Sequence, residues 1–351
     1  MPMTSAGGAG STTLTGPAPS KSGLSARDVL LRQDIILLGV FAVMVAFFTA
    51  MNSAFLTTFS IANILQDWAP VMLLAIGETY VIITAGIDLS VGSTLGLSGV
   101  VCAMTMRQMN SANDGPVTTI GVGVVVALAV GVVVGLINGM LITRAKLAPF
   151  VATLATLGAG AGFTLVLTDG VQIAGGPREV ITIGNTTYLQ ILTSPLIVVI
   201  AVLAVTWIVL ALTRFGRLTY AIGSNQFAAR GAGINVQRHL LKVYVLSGLL
   251  AGLAGAFVYF RLGSGSPTSG QGQELAAIAA TVIGGTSLFG GSGRMSGTLL
   301  GALITTSVLS GLILIGVAPN WQQVVIGVLI AVAVGVQQVN VGRMRRGARH
   351  G

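Results

Sequence analysis

Glu78 sits in the middle of the apolar run AIGETYVII, where a carboxyl group is chemically conspicuous. An acid at membrane depth costs about 3 kcal/mol unless it is protonated, paired or wetted, and such residues often mark pathways. Two readings stay open for it: a residue lining a solute or proton path, or a protonated acid hydrogen-bonded to a neighbouring helix. Ion coupling calls for several such acids on facing helices. Asp34, Asp67, Asp88 and Glu274 instead fall near the ends of apolar runs, which speaks against an ion-driven mechanism.

The stretch TAGIDLSVGS, residues 84–93, breaks one apolar run and starts another. Asp88 or Ser90 there would cap the new helix by accepting from its free backbone N–H groups. The sharper reading is a break that turns backbone polar groups toward a path, since irregular backbone at depth is tolerated only inside protein or beside a water-filled cavity. The same pair of readings applies to Gly284, Gly285, Thr286 and Ser287. Glu78, Gly86, Asp88, Ser90, Gly92 and residues 284–287 are therefore the candidate translocation path. Residues 86–93 and 285–292 also echo each other, sharing Gly86/Gly285, Leu89/Leu288, Gly92/Gly291 and Ser93/Ser292. Repeated, broken helices in matching places are a feature of transport paths.

Catalytic chemistry has little to work with. Cys102, His239 and His350 are the only Cys and His residues, too few for a metal site, and no metal ligand set is assigned. No Gly-Lys pair occurs, so the chain lacks the phosphate-cradling loop that would hold ATP.

The elements around these residues are membrane helices. Of 351 residues, 53% are hydrophobic and 8% charged, against about 25% charged in a soluble domain. The apolar runs are continuous, unlike the alternating strands of a membrane barrel. The expected fold is all-α, a polytopic helix bundle. About ten spans are expected, at 35–51, 66–85, 91–107, 117–142, 150–168, 195–213, 240–260, 274–289, 298–316 and 321–339, the eighth short and glycine-broken. With the N-terminus inside, all of the 18 Lys and Arg except Arg107, Arg178 and Arg261 face the cytoplasm, so both termini are assigned there. The +9 charge thereby belongs to cytoplasmic flanks rather than to a nucleic-acid surface. Residues 1–33 read as a disordered tail, 34–340 as the transmembrane domain and 341–351 as a basic tail.

Trp68 and Trp321 fall near outer span ends, as interfacial anchors do. Gly131, Gly135 and Gly139, Gly158 and Gly162, and Gly297 and Gly301 recur every fourth residue or so, which lets helix backbones approach. Asn138 among them suits a hydrogen bond between helices.

The longest basic interruption, residues 214–242, lies on the cytoplasmic side. Its middle, 225–233, suits a short helix outside the bilayer, placed to touch a soluble protein.

These stretches together resemble the permease subunit of ribose-type ABC sugar importers: TAGIDLSVGS, then AIGSNQFAARGAGINVQRHLLKVYVLSGLLAGLAG, then SGQGQELAAIAATVIGGTSLFGGSGRMSGTLLGALI. The resemblance covers about residues 34–338. It implies a multi-pass protein of the bacterial cytoplasmic (inner) membrane, working as a homodimer. It implies a periplasmic or lipid-anchored sugar-binding protein outside and a cytoplasmic ABC ATPase inside, which holds the ATP and magnesium; no cofactor is expected in this chain. Its coupling helix maps onto residues 224–237, with Asn225, Gln226, Phe227, Ala228, Ala229, Arg230, Gly233, Ile234 and Asn235 as the contact set. An acidic residue is common in that family where Gln226 stands, and bulky Phe227 follows it, so the contact here is expected to be more apolar. A branched-chain amino acid, a nucleoside or a signalling sugar is the alternative cargo, and an ion-coupled secondary transporter the alternative class.

Overall fold

The computed structural model describes residues 33–318 and 320–347. The expected N-terminal tail lies outside them, apart from Gln33. Helices α1 (Gln33–Met51), α2 (Thr58–Ile83), α3 (Val91–Ser111), α4 (Pro116–Thr143) and α5 (Pro149–Thr168) come first. A short helix α6 (Arg178–Asn185) and a two-stranded hairpin, β1 (Thr187–Tyr188) and β2 (Leu192–Thr193), follow. Then come α7 (Ser194–Leu212), α8 (Arg214–Ser224), α9 (Gln226–Gly231), α10 (Val236–Leu262), α11 (Gln273–Ile283), α12 (Met295–Leu314) and α13 (Trp321–Gly347).

Local signals explain the boundaries. Proline opens α4 and α5, where its missing N–H has no intrahelical partner to lose. Thr57 caps α2 by accepting from the Ser60 N–H at 3.3 Å. The helix therefore begins well before the expected residue 66. This moves Trp68 from a span end into the helix, where it is buried, so it does not act as an outer anchor. Trp321, the first residue of α13, is exposed as an anchor would be. Gly263, at φ +67, ends α10 in the left-handed region that glycine enters without a Cβ clash.

Seven described helices are long and apolar enough to cross a membrane: α1, α2, α4, α5, α7, α10 and α12. α3 has the length, at 21 residues, but carries Gly, Ser, Thr, Gln and Arg107. α11 corrects the eighth expected span. It stops at Ile283 after 11 residues, which reach about 16 Å of a hydrocarbon core about 30 Å thick. Gly284 and Gly285 end it, and a loop rather than helix continues to residue 294. α13 runs on to Gly347, past the expected boundary at 340.

α2 and α10 form the centre of the bundle. α10 packs on α4 at the glycine stripe: a methyl group at Gly131 would lie 2.9 Å from the Gly248 carbonyl carbon, and one at Gly248 would lie 2.9 Å from the Gly135 Cα. Gly297 and Gly301 pack in the same way against the end of α11. Gly158 and Gly162 differ. They face open space on α5 and join no helices within one chain.

Candidate coupling and gating site

The polar interruption after α7 folds into an arm on the bundle. Thr213 starts α8 by accepting from the Gly216 N–H at 3.4 Å. Asn225 then breaks the helix with extended backbone and caps α9, its side chain accepting from the Ala228 N–H at 3.0 Å. Gly233 turns the chain at φ +79, and Asn235 caps α10 through the Arg238 N–H at 3.0 Å. Ala229 and the half-buried Ile234 pack with Ile222, Val236 and Leu240 in a small apolar cluster of their own. That cluster seats α9 on the ends of α8 and α10. Phe227, Ala228 and Arg230 are exposed, Phe227 at 85%, and Gln226 is half-buried.

The arm is tied to α10 as well. The Thr219 hydroxyl and the His239 ring nitrogen lie 2.9 Å apart, and the His239 ring packs on Phe215 with centroids 4.5 Å apart.

The two glycine-rich breaks meet the arm at one place. The Gly291 N–H donates to the Ile83 carbonyl at 2.9 Å, so the loop after α11 closes on the last residue of α2. Gly290, at φ +82, lies against Ala85. Gly223 fills the remaining gap: a Cβ there would lie 2.7 Å from the Gly291 nitrogen. The Tyr220 hydroxyl donates to the Gly293 carbonyl at 2.9 Å, and burial pushes its phenol up from the usual range, keeping it a donor. The last turn of α8 thus touches both breaks, immediately before α9 begins.

Asp88 lies deeper, in a network that joins α3, α4, α5 and α10. Its Oδ1 accepts from the Ser90 N–H at 3.1 Å and from the Ser90 hydroxyl at 2.6 Å, and its Oδ2 accepts from Ser247 at 2.9 Å. Asn138 donates to the Ser90 hydroxyl at 2.7 Å and accepts from Thr156 at 2.7 Å. The expected cap is corrected in detail. Ser90 holds the N-cap position of α3 with its backbone already helical and makes no side-chain cap bond; its hydroxyl instead donates to Asp88 and accepts from Asn138.

Of the other candidate path residues, Glu78 is fully buried in α2, with the Asp88 backbone N–H beside its carboxyl group. Gly92 is buried against Glu274, and Gly284 against Gly297. Thr286 is fully buried beside Gly293, while Gly285 and Ser287 are half-buried in the loop. Gly86 lines a cavity of about 450 Å³ that also touches Gln226 and Arg230. Sequence reasoning missed Ser247, Thr156, Tyr220 and Gly223. Their spacing carries no motif, and only the fold brings them to Asp88 or to the breaks.

A polytopic helix bundle whose internal breaks are reached from one short surface helix defines a membrane transport component. The chain belongs to the family described as branched-chain amino acid transport system / permease component, which matches residues 60–334. It is 46% identical over 298 residues to the ribose import permease protein of Bacillus subtilis (strain 168), covering 85% of this chain and 90% of that one. It is 38% identical to the fructose import permease protein of Rhizobium meliloti, over 84% of this chain and 82% of that one. The D-allose transport system permease protein of Escherichia coli (strain K12) is 37% identical, over 86% of this chain and 90% of that one. No solved structure matches the chain. The chain is a transport component and not an enzyme.

Proposed function

We propose that this chain is the permease subunit of a binding-protein-dependent ABC importer for a monosaccharide, in the cytoplasmic membrane of a bacterium. Two copies form the translocation path between them. A separate ATPase takes the cytoplasmic face, and a sugar-binding protein delivers cargo from outside. The supporting names are those of the ribose, fructose and allose permeases above.

The observation that carries the mechanism is the contact between the arm and both breaks. The ATPase docks on α9, where exposed Phe227 gives it an apolar grip, and on the neighbouring loop, where Phe289 is 71% exposed. ATP binding draws the docked helix inward. α8 passes the motion through Gly223 and Tyr220 to the end of α2 and to the loop after α11. The Asp88 network makes α3, α4, α5 and α10 move as one body, because breaking any of its buried hydrogen bonds would strand a polar group. Glu78, Gly86, Ser90, Gly92 and residues 284–287 act at the hinge of this motion and beside the path it opens. Since the binding protein selects the cargo, the path itself needs few aromatic or charged groups.

Reconstitution with the partner ATPase and binding protein in liposomes tests the cargo. ATP-dependent uptake of labelled ribose, fructose or allose is expected, with excess unlabelled leucine failing to compete. Uptake of leucine with none of the sugars would overturn the monosaccharide reading.

A further inference from the structure

Far from the coupling arm, at the outer ends of α2, α10, α12 and α13, lies a cavity of about 340 Å³. This is within the usual size range of small-molecule sites, roughly 300–1,000 Å³. It belongs to a single copy of the chain. Its polar lining includes Gln66, Asp67, Arg261, Gln273, Thr306 and Gln322.

Three features mark it as a built site. First, the Thr306 hydroxyl is buried, at 2% exposure, lines the cavity and has no hydrogen-bond partner among the described residues. The Gln273 side-chain oxygen is in the same condition. Buried polar atoms are rarely left unmatched, and each such case calls for an explanation. Secondly, Pro70 lies inside α2 at the cavity wall. Having no N–H, it cannot donate to the Gln66 carbonyl four residues earlier. A helix carbonyl left without its intrahelical donor in this way is tolerated where neighbouring protein or a polar cavity can satisfy it. Thirdly, Arg261 is paired with Asp67, so the only guanidinium among the lining residues is already neutralised.

We propose that this cavity is a binding site for a neutral polyhydroxylated small molecule, one site per permease copy. The chemistry selects that class. Amides and hydroxyls each match a group that both donates and accepts, as every sugar hydroxyl does. The side chain of Phe257, also in the lining, supplies an apolar wall for the C–H face of a ring. An anionic ligand, a phospholipid headgroup included, would find no free cation. The inference extends the monosaccharide reading: a released sugar would have a shallow acceptor site in each copy.

The test uses the full-length permease alone, in nanodiscs, with labelled ribose, fructose and allose as separate probes. Saturable binding of at least one sugar, with one site per chain, is the expected result. The pair Thr306→Val and Gln322→Leu should weaken it at least tenfold. Thr306→Ser, which keeps the hydroxyl, should stay within threefold of the parent and shows that the effect is not misfolding. Ribose 5-phosphate should bind at least tenfold more weakly than ribose. No saturable binding by any of the three sugars, binding indifferent to both pocket variants, or tighter binding of the phosphate ester would each overturn the proposal. So would a co-purifying phospholipid that the variants release and the sugars do not. The ATPase is absent from this assay. Failure here would therefore overturn the acceptor site alone, while the proposed function stands or falls on ATP-driven uptake by the complete transporter.

Discussion

The double variant Gly233→Asp and Ile234→Asp is expected to insert at the parent level and to lose ATP-driven uptake. The rate should fall by at least about tenfold, because a charge forced into an apolar contact costs several times RT. Ile234 is the residue that closes the cluster of Ile222, Ala229, Val236 and Leu240 beneath α9. An aspartate there either lifts the helix off its seat or drags a charge into it. Gly233 holds the turn at φ +79, where a side chain adds strain. Both positions lie between α9 and α10, outside the long apolar helices, so insertion has no reason to suffer. Phe227→Asp separates docking from folding. At 85% exposure it supports nothing within the chain, so lost uptake with an unchanged melting profile would assign its effect to the ATPase contact. Two measurements settle the matter together: uptake in reconstituted vesicles and co-purification of the ATPase. Retained uptake in the double variant would show that the arm does not carry the stroke.

Gly131→Leu is expected to have the largest effect on stability. The Gly131 backbone lies so close to Gly248 and Gly252 that a single methyl group would stand 3.0 Å from the Gly252 Cα. No flexible side chain is there to yield. Four extra carbons must part α4 from α10, and overpacking of this kind costs about 3 kcal/mol or more. α4 also carries Asn138, so parting the helices pulls on the Asp88 network at the same time. Thermal unfolding of the purified protein should show a clear drop in Tm and poor recovery from the membrane. Gly158→Leu, on the open face of α5, is the matched control and should leave the isolated chain's Tm nearly unchanged.

The sequence made most membrane-length helices legible because they are long apolar runs, and the arm legible because it is the one long basic gap. The bounds of its short helix, 225–233, were legible, but the cap at Asn225 and the left-handed turn at Gly233 come from the fold. The glycine stripes were half legible. A spacing of four says that a helix has a smooth face, but not what lies against it, so Gly131 and Gly158 look alike until the fold separates them. Trp68 misled for a related reason: the start of α2, TFSIANIL, hides eight residues of helix before the expected span. The shortness of α11 was foreshadowed by Gly284 and Gly285. The short helix α6 and its hairpin were not visible, being too short to show a period. The meeting of Gly223, Ile83 and Gly291 could not be read at all, since it joins three segments far apart in sequence.

The most direct test of the central claim is an omission series in sealed proteoliposomes, measuring labelled sugar uptake with the permease alone and then with the ATPase, ATP and the binding protein added in turn. Uptake is predicted only when all are present, with collapse of ion gradients making no difference. Concentrative uptake by the permease alone, driven by an ion gradient and indifferent to nucleotide, would contradict the account.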